Sequence, residues 1–145
     1  MQDNGLNRDY FRAVERALYD FPGNKALLRQ RENYIETLCA GSNCADIIQM
    51  GACSTKPVTA IQERTVIKKD DDMMCRVLRA KIQPIQEAYN TMHDGLKDLV
   101  RLRYWQGLSI GEVMAELDIS ERVFYRLRRR AVRHVAPFVV GAWGM

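Results

Sequence analysis

Apolar residues recur at helical spacing along most of the chain, with charged residues between them. The first run predicts a helix that ends at residues 21–23, Phe-Pro-Gly, because proline and glycine interrupt helices. Asn24 can cap a second helix. Residues 40–44 and 51–57 have the composition of loops and flank a short apolar piece. The β-branched residues 65–67 are interpreted as helical.

A second pattern begins at Asp70, where apolar residues alternate at steps of three and four over about two and a half heptads. These residues are Cys75, Leu78, Ile82, Ile85, Tyr89 and Met92. The spacing predicts a long helix, and its stripe has two interpretations: a face packed on the protein's own core, or a seam between two copies of the chain. Pro84 lies inside the run and should kink the helix or split it near Ile82.

The last third of the chain predicts three helices joined by short connections. Asp94 can cap the first, which ends before Gly107 at about residue 106. Ser109, followed three residues later by Glu112, has the spacing of a capping box for the next helix. After a three-residue turn, the last helix spans about residues 120–135. This order is typical of a helix-turn-helix.

The patterns together predict an all-α protein of two parts. Residues 1–93 form an N-terminal helical region, expected to mediate oligomerisation or to bind a partner, and its long, kinked helix leads into the second part. Residues 94–145 form a helix-turn-helix domain of the kind that binds DNA.

The positive charge of the chain is confined to this second part. The chain has 22 basic and 18 acidic residues, and residues 1–95 contain 13 of each. Residues 96–145 therefore contain the whole excess of +4, with nine basic and five acidic residues. Such a segment indicates a polyanionic partner.

The predicted last helix separates its apolar and basic residues onto opposite faces. At 100° per residue, Phe124, Leu127, Ala131 and Val135 form one apolar stripe. Four arginines lie on the opposite side of the helix, roughly 140–200° from Phe124: Arg122, Arg126, Arg129 and Arg133. Tyr125 flanks these arginines. Arg128 lies beside the apolar stripe, where packing or pairing with Glu112 or Glu116 would explain it. Arginines on one face repel each other, and phosphates would neutralise them.

Other functional classes find little support in the sequence. No apolar run is long enough to span a membrane, and the N-terminal residues lack the apolar core of a signal peptide, so a cytoplasmic protein is expected. The spacing of the four cysteines matches no zinc motif, and reduced thiols are expected. In an enzyme, Cys39 and His93 would be the candidate nucleophile and base, but the sequence offers no third group to orient them. We expect no catalytic site, cofactor or metal.

Residues 102–135 resemble the C-terminal DNA-binding domain, region 4, of bacterial sigma factors. The likeness lies in Leu-Arg-Tyr-Trp at 102–105, Gly-Leu-Ser-Ile-Gly-Glu-Val at 107–113, Leu-Asp-Ile-Ser at 117–120 and the arginine-rich tail. The opening YF…VERALYD, the ERT at 63–65 and the closing PFVVG are similar to phage late-gene transcriptional regulators of the ArpU/RinA type. Nothing in residues 1–95 resembles the sigma-factor region that melts promoters.

The sigma-factor resemblance implies that the first two turns of the last helix contact bases. Carried over, these positions are Glu121, Arg122, Tyr125 and Arg126. Arginine can bridge guanine O6 and N7, and glutamate can accept from cytosine N4. Ser120 would cap the helix and bond a phosphate, and Arg129 and Arg133 would contact the phosphate backbone.

The expected function is therefore that of a sequence-specific transcription regulator, encoded by a phage or prophage and acting on late-gene promoters in the host cytoplasm. Its partner would be double-stranded DNA, and residues 1–93 would form a homodimer or contact the host RNA polymerase. One alternative is the DNA-recognition subunit of a phage packaging machine, similar to a small terminase. Another is an interaction protein whose arginines on the last helix bind an acidic protein.

Overall fold

The computed structural model describes the backbone of residues 7–50 and 58–143, and the side chains of residues 7–40 and 62–142. Within these ranges the fold is all-α and contains no strand, as the sequence predicts. A π-helical turn, Arg101–Trp105, follows the fourth helix. The helices are α1 (Arg8–Met50), α2 (Val58–Asp71), α3 (Met73–Thr91), α4 (Asp94–Val100), α5 (Ile110–Leu117) and α6 (Glu121–Trp143).

Helix α1 is longer than its sequence predicts. It continues through Pro22 and through residues 40–44, so the predicted helix end at 21–23 and the predicted loop at 40–44 are wrong. A proline inside a helix disfavours it by about 3 kcal/mol. Leu18 and Phe21 before the proline and Ile35 after it are buried, and burying apolar side chains of this size offsets that amount. The predicted loop at 51–57 lies outside the described residues.

The contacts of the chain divide it into two units. Unit 1 contains residues 1–24 and 80–145, and unit 2 contains residues 25–79. This division differs from the predicted boundary between residues 93 and 94. The beginning of α1 and the end of α3 pack with the C-terminal helices, so they contribute to the same core.

Unit 1 has a single apolar core built from α1, α3, α4, α5, α6 and the π-helical turn. Aromatic rings lie at its edge: Phe21 stacks on Trp105 with centroids 4.8 Å apart, and Tyr89 lies 4.5 Å from the same ring. The largest fully buried side chains of this core are Val14, Leu18, Ile85, Leu99, Val100, Val113, Phe124, Val132, Val135 and Val139.

The apolar stripe of α3 packs within the chain. Cys75, Leu78, Ile85 and Met92 are buried, and Ile82 and Tyr89 pack against the core of unit 1. The core-facing interpretation is therefore confirmed, because most of the stripe is buried within the chain itself. The helix also continues through Pro84 as one element, so the predicted split did not occur. Ile85 and Ala88, buried immediately after the proline, stabilise this continuation.

Unit 2 is held by a small core and by ion pairs. Ile35, Cys39 and Cys75 form the core, with Leu28 against it. Arg31 donates to both carboxylate oxygens of Asp72, with the shortest distance 2.8 Å. Asp72 also accepts from the Cys75 backbone N–H at the start of α3. The Arg31 guanidinium and then this N–H lower the pKa of Asp72. The helical interpretation of residues 65–67 is confirmed by α2.

Candidate nucleic-acid interface

The segment before α5 begins with a helix cap that the sequence assigned to the wrong residue. His93, not Asp94, precedes the first turn of α4, and its side chain accepts from the Gly95 N–H at 3.3 Å. Asp94 is the first residue of the helix. Gly107 ends the following π-helical turn with a positive φ of 72°, a conformation that favours glycine. The predicted end of the helical segment before Gly107 is thus confirmed.

Helix α5 begins and ends as its sequence predicts. Ser109 accepts from the Glu112 N–H at 3.3 Å, and the Glu112 carboxylate accepts from the Ser109 N–H at 2.7 Å, which completes the capping box. Hydrogen bonds to the Glu112 carboxylate from the backbone and then the side chain of Ser109 lower the pKa of Glu112. At the other end, Asp118 adopts a left-handed conformation with φ of 50°, which aspartate tolerates better than most residues. The turn into α6 therefore forms without a glycine.

Helix α6 lies with one face in the core of unit 1. Ser120 caps it by accepting from the Val123 N–H at 3.4 Å, as expected. Phe124, Ala131 and Val135 are buried and Leu127 is partly buried, so the predicted apolar stripe is confirmed. The helix is longer than predicted, because it continues past Val135 to Trp143. Val132, Ala136 and Val139 widen its buried face.

The opposite face of α6 is basic and exposed. Arg122, Arg126, Arg129 and Arg133 are all exposed, and so is Arg130 beside them. No carboxylate among the described side chains forms an ion pair with Arg122, Arg126 or Arg129. We call Arg122, Arg126, Arg129 and Arg133 the arginine face. Among the described side chains, no carboxylate neutralises the charges of Arg122, Arg126 and Arg129, so solvent counterions or a bound anion balance them.

Two further predicted site residues border the arginine face. Glu121 is the first residue of α6 and is exposed, a position where a negative charge interacts favourably with the helix dipole. Tyr125 is partly buried and packs edge-on against Phe124, with ring centroids 5.4 Å apart. Tyr125 is therefore held in place by the core beside the exposed arginines.

Arg128 is the arginine of α6 that turns away from this face. Its Nε donates to Glu15 Oε1 at 2.6 Å and its terminal nitrogen to Oε2 at 2.9 Å. The Tyr104 hydroxyl donates to the same Oε1 at 2.6 Å, and the Arg128 guanidinium lies 5.3 Å from the centre of the Phe11 ring. Packing beside the core was predicted, but the expected partners Glu112 and Glu116 were wrong. Glu15 of α1 holds Arg128 instead.

This cluster of Glu15, Tyr104 and Arg128 fixes α1 against α6. Burial opposes the charged form of Glu15, but the hydrogen bonds from Arg128 and Tyr104 outweigh it and lower the pKa of Glu15. Burial, followed by the hydrogen bond to Glu15, raises the pKa of Tyr104. The cluster therefore consists of an ionised pair and a neutral phenol at neutral pH.

Glu15→Gln should destabilise the protein by about 1–3 kcal/mol at pH 7, because Arg128 and Tyr104 lose an anionic acceptor in a site where the Glu15 side chain is only 15% exposed. The pKa of Glu15 is lower in the folded protein, so its contribution is complete above the ordinary glutamate pKa of about 4.3 and is lost at lower pH. Urea unfolding of the parent and of Glu15→Gln between pH 7 and pH 3 should show that their free energies of unfolding converge as the pH falls. As a control, Glu116→Gln at an exposed position should leave the free energy of unfolding within about 0.5 kcal/mol of the parent value. If the parent and Glu15→Gln differed in stability by the same amount at every pH, the role of ionised Glu15 in this cluster would be contradicted.

An open cleft of about 540 Å³ lies between the start of α1 and α6. Arg8, Phe11 and Arg12 line it from α1, and Tyr125 and Arg129 line it from α6, with the Glu15–Arg128 pair beside them. Sequence reasoning missed Arg8 and Arg12. Their spacing of four residues places them on one side of a helix, but no local pattern indicates which helix they face.

Other chemistry is sparse in the part of the chain that the structure describes. No three His, Cys, Asp or Glu side chains lie together there in a group that could hold a metal ion. Cys39 and Cys75 are buried, and burial raises the pKa of Cys75. His93, considered above as a base, caps α4. None of the described helices is long and apolar enough to cross a membrane.

The family of this chain follows from its match to a protein-family model. Neither the curated proteins nor the solved structures include a significant match to this chain. A family model described as protein of unknown function, DUF722, matches residues 23–137, which cover most of α1, all of α2 to α5 and the arginine face of α6. Because the match covers well over half of the sequence, the chain belongs to the DUF722 family.

Proposed function

We propose that this protein is a sequence-specific DNA-binding transcription regulator that inserts α6 into the major groove. The observation that carries the proposal is the arginine face: four exposed arginines opposite the buried face of α6. A helix fixed to the core on one side and densely basic on the other fits the phosphate-lined major groove. The preceding α5 and the left-handed turn at Asp118 give the order of a helix-turn-helix.

The individual side chains support roles at the DNA. Arg122 and Arg126 lie in the first two turns of α6, where a groove-binding helix contacts base edges, and Glu121 can accept from cytosine N4. Arg129 and Arg133 lie further along and suit the phosphate backbone. The resemblance to sigma factor region 4 and to phage late-gene regulators supports promoter DNA as the target.

A salt titration tests the proposal directly. If the arginine face neutralises three or four phosphates, log affinity should fall with log salt concentration with a slope of about −3 to −4 per protomer. Fluorescence anisotropy with duplexes selected from a random pool, repeated over a range of salt concentrations, measures this slope. Arg133→Ala should reduce the slope by about one and weaken binding to all sequences alike.

The outcome that would end the proposal is an affinity that does not change with salt, or no binding to any duplex. An acidic protein domain titrated in parallel separates the rival interaction. Preference for that domain over selected duplexes would assign the arginine face to a protein partner.

A further inference from the structure

We infer that the cleft between α1 and α6 binds a phosphate of the DNA backbone, so that α1 clamps the duplex whose major groove α6 occupies. This inference rests on the proposed function and extends its interface from the helix-turn-helix to the first two turns of the chain's first helix. The residues that carry it are Arg8 and Arg12 of α1, opposite Arg129 of α6.

The cleft is continuous with the arginine face. Arg129 belongs to both, and Tyr125 lines the cleft while flanking the arginines. Arg8 and Arg12 are exposed, and one helical turn separates them, so both present their side chains to the same side of α1. A duplex strand lying along the arginine face therefore passes the opening of the cleft.

The electrostatics of the cleft favour an anion. Four arginines and one carboxylate line it, and the carboxylate, Glu15, is already bound on both oxygens by Arg128. Among the described residues, no carboxylate pairs with Arg8, Arg12 or Arg129. Three guanidinium groups thus line the open cleft, and none of them is paired with a described carboxylate. Guanidinium groups bind phosphate oxygens through paired hydrogen bonds.

The structure also explains how α1 can act with α6. The bidentate Glu15–Arg128 pair, the Tyr104 hydroxyl on Glu15 and Phe11 beneath Arg128 set the position of α1 along α6. Arg12 lies three residues before Glu15, less than one turn from this fixed point. The backbone at Arg12 is therefore already fixed beside the cleft, so that binding an anion there costs little backbone entropy. An open, preformed cleft of this kind suits a phosphate on a continuous strand.

The test compares the full chain with the Arg8→Ala/Arg12→Ala variant by fluorescence anisotropy, on a selected duplex and on a random one. The matched control is Arg29→Ala/Arg64→Ala, which removes two exposed arginines that do not line the cleft. We expect the cleft variant to lose affinity on the order of tenfold or more for both duplexes, and its salt slope to move toward zero by about two. The control should stay within about twofold of the parent. Arg8→Lys/Arg12→Lys should recover most of the loss, since lysine also neutralises phosphate.

Each contrary result has a distinct meaning. If the cleft variant binds as tightly as the parent while Arg126→Ala weakens binding, this inference is overturned and the proposed function stands. If the parent itself shows no salt-dependent binding to DNA, both fail. If calorimetry shows that inorganic phosphate binds the parent but not the cleft variant, and DNA affinity is the same for both, the cleft takes a free anion and the assignment to the DNA backbone is wrong.

Discussion

A fragment of residues 94–145 is expected to remain largely unfolded. The sequence alone predicts that this fragment folds by itself, but the core it needs is supplied from elsewhere in the chain. Val14, Leu18 and Phe21 of α1, Ile85 of α3 and Met92 just after α3 are buried in the core of unit 1. Each contributes about 1.5–3 kcal/mol by burial, and their sum is comparable to the total stability of about 5–15 kcal/mol of a small domain. Circular dichroism should show most of the helical signal lost.

The matched experiment adds residues 1–93 to the fragment in trans. If the loss comes from the missing part of the core, the second piece should restore helicity and a cooperative thermal transition. Glu15→Gln in the added piece should weaken this restoration, because it removes the partner of Arg128. A fragment that unfolds cooperatively on its own would show that α4, α5 and α6 form an independent domain.

Arg126→Ala is expected to reduce affinity for the selected duplex by about ten- to a hundredfold, with the loss concentrated at one base pair. Arg126 is exposed on the arginine face in the second turn of α6, so its removal should not alter the fold. One bidentate contact to a guanine provides about 1–3 kcal/mol of discrimination, which corresponds to this range. Binding of the parent and the variant to duplexes substituted one base pair at a time measures the effect.

Arg126→Lys distinguishes a base contact from a phosphate contact. Lysine retains the charge but not the planar pair of donors that matches guanine O6 and N7. We expect Arg126→Lys to bind random DNA like the parent and to discriminate poorly at the same base pair. An equal loss by Arg126→Ala on every sequence, recovered by lysine, would place Arg126 on the backbone instead.

The parts of the fold that the sequence predicted correctly depend on neighbouring residues. The capping box of Ser109 and Glu112, the turn at Asp118 and the cap at Ser120 each involve residues within three or four positions of one another. The apolar stripe and the arginine face of α6 follow from the 3.6-residue period of the helix. For these features the order of residues is sufficient, because the interacting groups are fixed by local geometry.

Predictions from the sequence were wrong or incomplete mainly where tertiary packing outweighed local conformational preferences. The sequence predicts the end of a helix at Pro22, but buried residues on both sides stabilise its continuation. One error was local: the sequence assigns the cap of α4 to Asp94, although the preceding His93 accepts from the Gly95 N–H. The sequence left open whether the stripe of α3 faces the core or a second copy. The answer depends on which other helices cover the stripe.

Residue order was enough to predict the helical class of this protein, the boundaries of α5, the start of α6 and the separation of the apolar and basic faces of α6. The packing of the helices was needed to establish that α1 completes the core of the C-terminal helices, that Glu15 pairs with Arg128 across 113 positions, and that Arg8 and Arg12 face Arg129 across a cleft. The physical reason is the range of the interactions: periodicity and capping are set by residues one turn apart, whereas contacts between distant helices arise from the joint burial of apolar surface, which no local pattern records.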